Sequence, residues 1–147
     1  MLRGFENLDS IVDKTNNRYL NEPGQYVLEI DVMKHKDGSD NPSKPNAAYV
    51  IAECSIVESD NDNFRKGAKV SICYDIMRNQ YNRRDALRFI ASASGESQIT
   101  KHVKDMEFLS YVFGPEQPLS GKQVKASVYY KDGMDNFAIS EFSPVSE

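Results

Sequence analysis

The chain has 147 residues, 39% of them hydrophobic and 27% charged, with a formal net charge of −4, the size and balance of one globular domain that buries a core without staples. No window approaches the roughly 18 consecutive apolar residues that a membrane span requires. Charge is laid out unevenly: residues 1–63 hold 6 Lys/Arg against 12 Asp/Glu, residues 64–104 hold 9 against 3, and residues 105–147 hold 3 against 7, which makes a basic segment in an acidic chain.

Residues 1–22 are a polar lead-in. Their opening, MLRGFENLDSIVDKTNNRYL, carries acids within a broken apolar pattern, lacks the apolar h-region of a secretory signal, and leads us to expect a cytoplasmic protein. Pro23-Gly24 then breaks the chain, and QYVLEIDVMKHK predicts a first strand with Tyr26, Leu28, Ile30 and Val32 on one face and Glu29, Asp31 and Met33 on the other. DGSDNPSKPN, 37–46, combines two prolines with Gly, Ser, Asp and Asn and reads as a long loop, a kind that is often functional.

AAYVIAECSIVES is apolar on nearly both faces, with Val50, Ala52, Cys54 and Ile56 on one and Tyr49, Ile51, Glu53 and Val57 on the other, so it is expected to be central. ESDNDN, 58–63, lacks the glycine and distant Glu of a calcium loop and reads as a turn. KVSICYDIM forms a third strand, burying Val70, Ile72 and Tyr74 and setting Lys69, Ser71 and Cys73 opposite. Neither cysteine has metal-ligand spacing, and with His35 and His102 lacking ligand-spaced neighbours a zinc site or disulfide scaffold is not expected.

The period then becomes helical. RDALRFIASASG places Leu87, Ile90 and Ala91 on one face with Gly95 as a stop, and SQITKHVKDMEFLSYVFG continues with Ile99, Val103 and Met106 before Gly114. Finally VKASVYYKDGMDNFAIS reads as two strands joined by a tight turn at Asp132-Gly133. On the first of them Val124, Ala126, Val128 and Tyr130 share the core face, while Lys125, Ser127, Tyr129 and Lys131 share the other. Tyr26 and Phe137 match the apolar side of their strands, Tyr49 is expected to pack, and Phe142 is given no role.

Three strands, a helical segment and two strands fit a mainly β fold with a helical insertion: a five-stranded antiparallel Greek-key barrel of the OB type over residues 23–147, its helices between strands 3 and 4. A meander with helices on one face satisfies the same order. Taken in sequence, GQYVLEIDVMK, AAYVIAECSIVESDN, GAKVSICYDI, ALRFIASASG and VYYKDGMDNFAISEFSPV resemble the small OB-fold single-stranded DNA-binding proteins of bacteriophages. The likeness spans about residues 23–145. Such proteins commonly end in an acidic, partner-recruiting tail, whereas only Glu141 and Glu147 follow the hairpin here, and with no Trp in the chain any stacking falls to Tyr and Phe.

Binding single strands without sequence preference takes a positive groove for phosphates and aromatic faces for bases. Candidates on the sheet are Lys34 and Lys36 leaving the first strand, Lys69 on the third, and Lys125, Tyr129 and Lys131 on the fourth, read as lining one concave face; for Tyr129 the other reading is a cross-strand packing pair. MRNQYNRRDALR adds Arg78, Tyr81, Arg83 and Arg84, either a grip on the entering strand or a solvated helix entry capped by Asp85. No Ser/His/Asp, Cys/His or phosphate-loop pattern points to catalysis.

The resemblance implies a protein that coats exposed single-stranded DNA during phage replication or recombination, in the host cytoplasm and without a cofactor, with replication or recombination proteins as further partners. The acidic overall charge keeps a second reading open, a protein-interaction module on the same barrel.

Overall fold

The computed structural model describes residues 18–37, 47–130 and 138–145. Lys131, the Asp132-Gly133 turn, Phe137 and the loop after Asp37 lie outside them. The described residues form β1 (Arg18–Tyr19), β2 (Gly24–Asp37), β3 (Ala48–Ser59), β4 (Lys69–Asp75), α1 (Gln80–Ala93), α2 (Met106–Val112), β5 (Gln123–Tyr130) and β6 (Ala138–Pro144). The fold is mainly β, with both helices between the third and fourth long strands.

The sheet runs β1-β4-β3-β2-β5-β6. The five long strands pair antiparallel, and β1 lies parallel on the free edge of β4, Tyr19 opposite Ser71. The sheet therefore begins within the stretch read as lead-in, and Leu20 joins the core. β3 is internal, as its two apolar faces require.

Strand alternation holds for β3, where Val50, Ala52, Cys54 and Ile56 are buried, and fails halfway along β2. Ile30 opposes Cys54 and Val32 opposes Glu53, leaving Asp31 as an extra residue in a β-bulge. An inserted residue reverses the parity of everything beyond it. Met33, expected outside, is therefore 1% exposed, and Val32, expected inside, pairs on the outer face.

Asp31 is held where it is. Its carboxylate accepts from the Ser55 hydroxyl at 2.8 Å and the Lys69 ammonium at 3.1 Å, and its carbonyl accepts from the Ser120 hydroxyl at 3.1 Å.

α1 starts earlier than its apolar spacing suggested. Asn79 caps it by accepting from the Asn82 amide at 2.8 Å, so Asp85 lies inside the helix and is not its cap. Gly95, at φ 84°, ends the run as expected. The helix buries Ala86, Phe89, Ile90 and Ala93, with Leu87 only partly covered. α2 is capped by Asp105, and its first residue, Met106, is 73% exposed, where a core position was expected. Val103 and Val112 supply the packing there.

Phe142 is the largest surprise. It is buried at the centre of an aromatic group, edge-on to Phe89 at 5.0 Å and to Tyr74 at 6.5 Å. These contacts join β6 to β4 and α1, so the sheet curls toward its core face, and burial pushes the Tyr74 phenol above its ordinary range. Among the described residues no backbone pairing joins β4 to β6, and the sheet is not closed. Tyr130 was expected inside but is 45% exposed, its hydroxyl donating to the Asn21 carbonyl at 3.2 Å.

Phe142→Ala is expected to cost about 3–5 kcal/mol of stability as a buried aromatic truncation, whereas Tyr130→Ala is expected to cost no more than about 1 kcal/mol as a surface change. Urea denaturation of the two variants checks this; equal losses would place Tyr130 back in the core.

Candidate functional site

The bulge at Asp31 decides what the outer face of the sheet carries. Beyond it Lys34 opposes Ile51 and Lys36 opposes Tyr49, both on the side turned away from Ala52 and Val50. Had β2 continued without the extra residue, both lysines would share the parity of Ile30 and point at the core. Lys69, Lys125 and Tyr129 are on the same outer face by their register. Because the sheet curls toward its core, this face is convex, which corrects the concave face expected from the sequence.

A convex sheet makes a groove only if something rises beside it. Two walls do so here. On one side stands β1, whose Tyr19 is 63% exposed; on the other, the turn from Phe113 to Gln117. Between them lies a groove of about 900 Å³, floored by Val32, Ile51 and Cys73 and flanked by Lys34 and Lys36.

The second wall is fixed by one side chain. The Gln117 amide accepts from the Met33 N–H at 2.7 Å and donates to the Met33 carbonyl at 2.9 Å, and donates again to the Gly114 carbonyl at 3.0 Å. β5 pairs with β2 only as far as Glu29, so the Gln117 amide satisfies a stretch of strand edge that β5 leaves bare. Gln117 holds a positive φ of 47° to do so, a backbone state disfavoured outside glycine.

The electrostatics are mixed. Lys34 is paired with Glu53 at 3.0 Å, while its side chain stays 51% exposed; among the described residues Lys36 makes no ion pair. Lys69 is engaged with Asp31 and Ser55 and does not line the groove. Burial pushes the Cys73 thiol upward, with the Asp75 carboxylate adding to it, and pushes the fully enclosed Cys54 thiol up to about 12.

The remaining candidates fall elsewhere. Lys125 and Arg84 meet Arg88, Asp85 and Glu141 around a second cavity of about 430 Å³ at the β5–β6 side. There Arg84 bridges to Asp85 at 3.5 Å and lies over the Tyr81 ring, 5.3 Å from its centroid. Tyr129 donates to Glu141 at 2.8 Å, a bond that pushes its phenol upward. Arg83 donates to the Ile76 carbonyl at 3.4 Å and lines a third groove between the helices. Arg78 sits in the exposed turn before α1. The sequence candidates are thus divided among the outer groove, the β5–β6 cavity and the inter-helix groove, with Lys69 at the bulge and Arg78 in a turn outside all three, and among the described residues only Lys34 and Lys36 share the outer groove.

Sequence reasoning missed Tyr19, Phe113, Gln117 and Arg88. Tyr19 had a signal, the polar-apolar alternation of Arg18-Tyr19-Leu20, but two residues are too few to read. Gln117 had none, because its role depends on a strand edge 84 positions away in sequence. Among the described residues no three or more His, Cys, Asp or Glu side chains cluster as metal ligands, and no helix is long and apolar enough to cross a membrane.

Compared with known proteins, the chain matches no family model and no curated sequence.

Removing the Gln117 amide orphans both polar groups of Met33, so Gln117→Ala is expected to cost about 1–3 kcal/mol, the penalty of partly buried unsatisfied groups. Amide hydrogen exchange of Met33 should accelerate in that variant; unchanged protection would mean that water or another group satisfies the edge.

Proposed function

We propose that this protein binds single-stranded DNA without sequence preference, along the outer groove between Tyr19 and the 113–117 turn. The observation that carries the reading is the groove itself: an exposed ring, a partly apolar floor and two lysines on one face. Phosphates are held by Lys34 and Lys36, and bases lie on the floor and against Tyr19, which contributes without regard to base identity because every base presents a π-face.

The OB-type reading of the fold has support in the strand order. β4-β3-β2-β5-β6 is the order of such a barrel opened between its last and third strands, with α1 packed across the opening. OB barrels bind oligonucleotides on the face of their second and third strands, the counterparts of β3 and β4 here, and two of the three floor residues, Ile51 and Cys73, lie there. Coating of strands during phage replication or recombination in a host cytoplasm accords with the pattern likeness in sequence.

A net charge of −4 does not oppose this reading. Within a Debye length of roughly 8 Å at physiological salt, a phosphate responds to the lysines beside it more than to distant acids. Pairing with Glu53 predicts a modest affinity and a shallow salt dependence from Lys34.

Labelled oligo-dT titrated across a salt series, with the matching duplex as control, tests the proposal. Single strands should bind more tightly, with log affinity falling linearly in log salt. Lys36→Ala should reduce that slope by about one unit, and Tyr19→Ala should cost about 1–3 kcal/mol with the slope intact, since stacking releases no counterions. Bound oligo-dT should also protect Cys73 from maleimide while Cys54 stays unreactive with or without DNA. Absence of binding at low salt removes the reading.

A further inference from the structure

We propose that the groove between α1 and α2 docks an acidic amphipathic helix of a partner protein. This groove, about 640 Å³, lies on the helical side of the molecule. Ile76, Leu87, Leu109 and Phe113 line it, all apolar and only partly buried. At its rim Met106 is 73% exposed at the first residue of α2, and a flexible, polarizable methionine is suited to adapting to an incoming side chain.

Charge specifies the partner. The outer groove contains Glu53 and the β5–β6 cavity contains Asp85 and Glu141, whereas among the described residues no carboxylate lines this one. Its charged side chains are Arg83, from α1, and Lys104, from the turn before α2. In a chain of net charge −4, an apolar groove with cations alone on two walls complements apolar side chains flanked by carboxylates.

Backbone geometry specifies the helix. His35 and Val50 are the strand residues in a wall otherwise made by α1, α2 and the turns beside them, so side chains on helices, rather than the bare edge of β2, supply most of the docking surface. An amphipathic helix brings its own backbone hydrogen bonds and needs only apolar anchors at successive turns. Cations on two separate walls also favour a segment with several carboxylates over an amphiphile with one. This proposal does not depend on DNA binding.

The test uses the full chain and a fluorescein-labelled peptide with Leu at positions i, i+3, i+4 and i+7 and Glu and Ala between them, read by anisotropy. A twin peptide carries Lys in place of Glu. The acidic peptide should bind about tenfold or more tightly than its twin, and Lys104→Glu combined with Met106→Glu should weaken it about tenfold or more. Lys34→Glu combined with Lys36→Glu should leave peptide binding unchanged, and circular dichroism should show both variants folded.

Equal affinity for the two peptides, or none, overturns the proposal. So does an equal loss in the Lys34/Lys36 variant, which would assign the peptide to the outer groove. Displacement of the peptide by laurate that itself binds more tightly would make the groove a site for a small amphiphile. A self-association seen by sedimentation and abolished by Lys104→Glu with Met106→Glu would make the occupant a second copy of the chain.

Discussion

One extra residue in β2 sets the chemistry of the outer face. Asp31 interrupts the register, and the strand beyond it turns over, so that Met33 enters the core and Lys34 and Lys36 leave it. A bulge disrupts the ladder and needs compensation. Here that comes from Ser55, Lys69 and Ser120, each of which hydrogen-bonds Asp31. Lys69 is thus a structural cation: it holds the bulge that presents the other two lysines, which explains why a lysine of the right parity is absent from the groove.

The same strand creates a second problem, which the fold turns into a wall. β2 is 14 residues long, but β5 covers only its first part, so among the described residues one edge beyond Ile30 lacks a strand partner. Gly121 and Lys122 satisfy Ile30 through backbone bonds of 2.7 and 2.9 Å, and the Gln117 amide satisfies Met33. A side-chain amide has the donor and acceptor of a peptide group, so it can stand in for one residue of a strand. The turn that carries it is thereby pinned beside the lysines, and a convex face acquires relief.

Much of the architecture was legible because it depends on local periodicity. β3 has Val50, Ala52, Cys54 and Ile56 in unbroken alternation, and Gly95 ends a helix with a conformation that glycine adopts freely. What was not legible depends on pairing. The bulge cannot be read from EIDVMK, since Val32 and Met33 are both apolar and either parity suits the local pattern. Met106 continues a helical spacing that the capped start of α2 cuts short. Tyr130 has the right parity for the core, but it lies near the strand end, beyond the reach of the aromatic group around Phe142. Of the candidate site, Lys34 and Lys36 were found and Tyr19 was not. The arginines of the basic segment were found as charges, but helix geometry sends neighbouring side chains in different directions: Arg83 to the inter-helix groove and Arg84 to the β5–β6 cavity.

That divergence shows why a basic segment is not the same as a basic site. Nine cations lie in residues 64–104, yet Lys69 holds a bulge, Arg84 leans on Asp85 and Tyr81, and Arg83 reaches the Ile76 carbonyl. The outer groove takes its lysines from the acidic first third of the chain instead. The two grooves meet at His35 and Phe113, whose rings lie 5.8 Å apart and which line both. Phe113 is the residue that ends α2 and opens the turn leading to Gln117. A ligand that shifts it on either side therefore acts on a wall common to both, and the Gln117 amide, anchored to Met33, limits how far that wall can move.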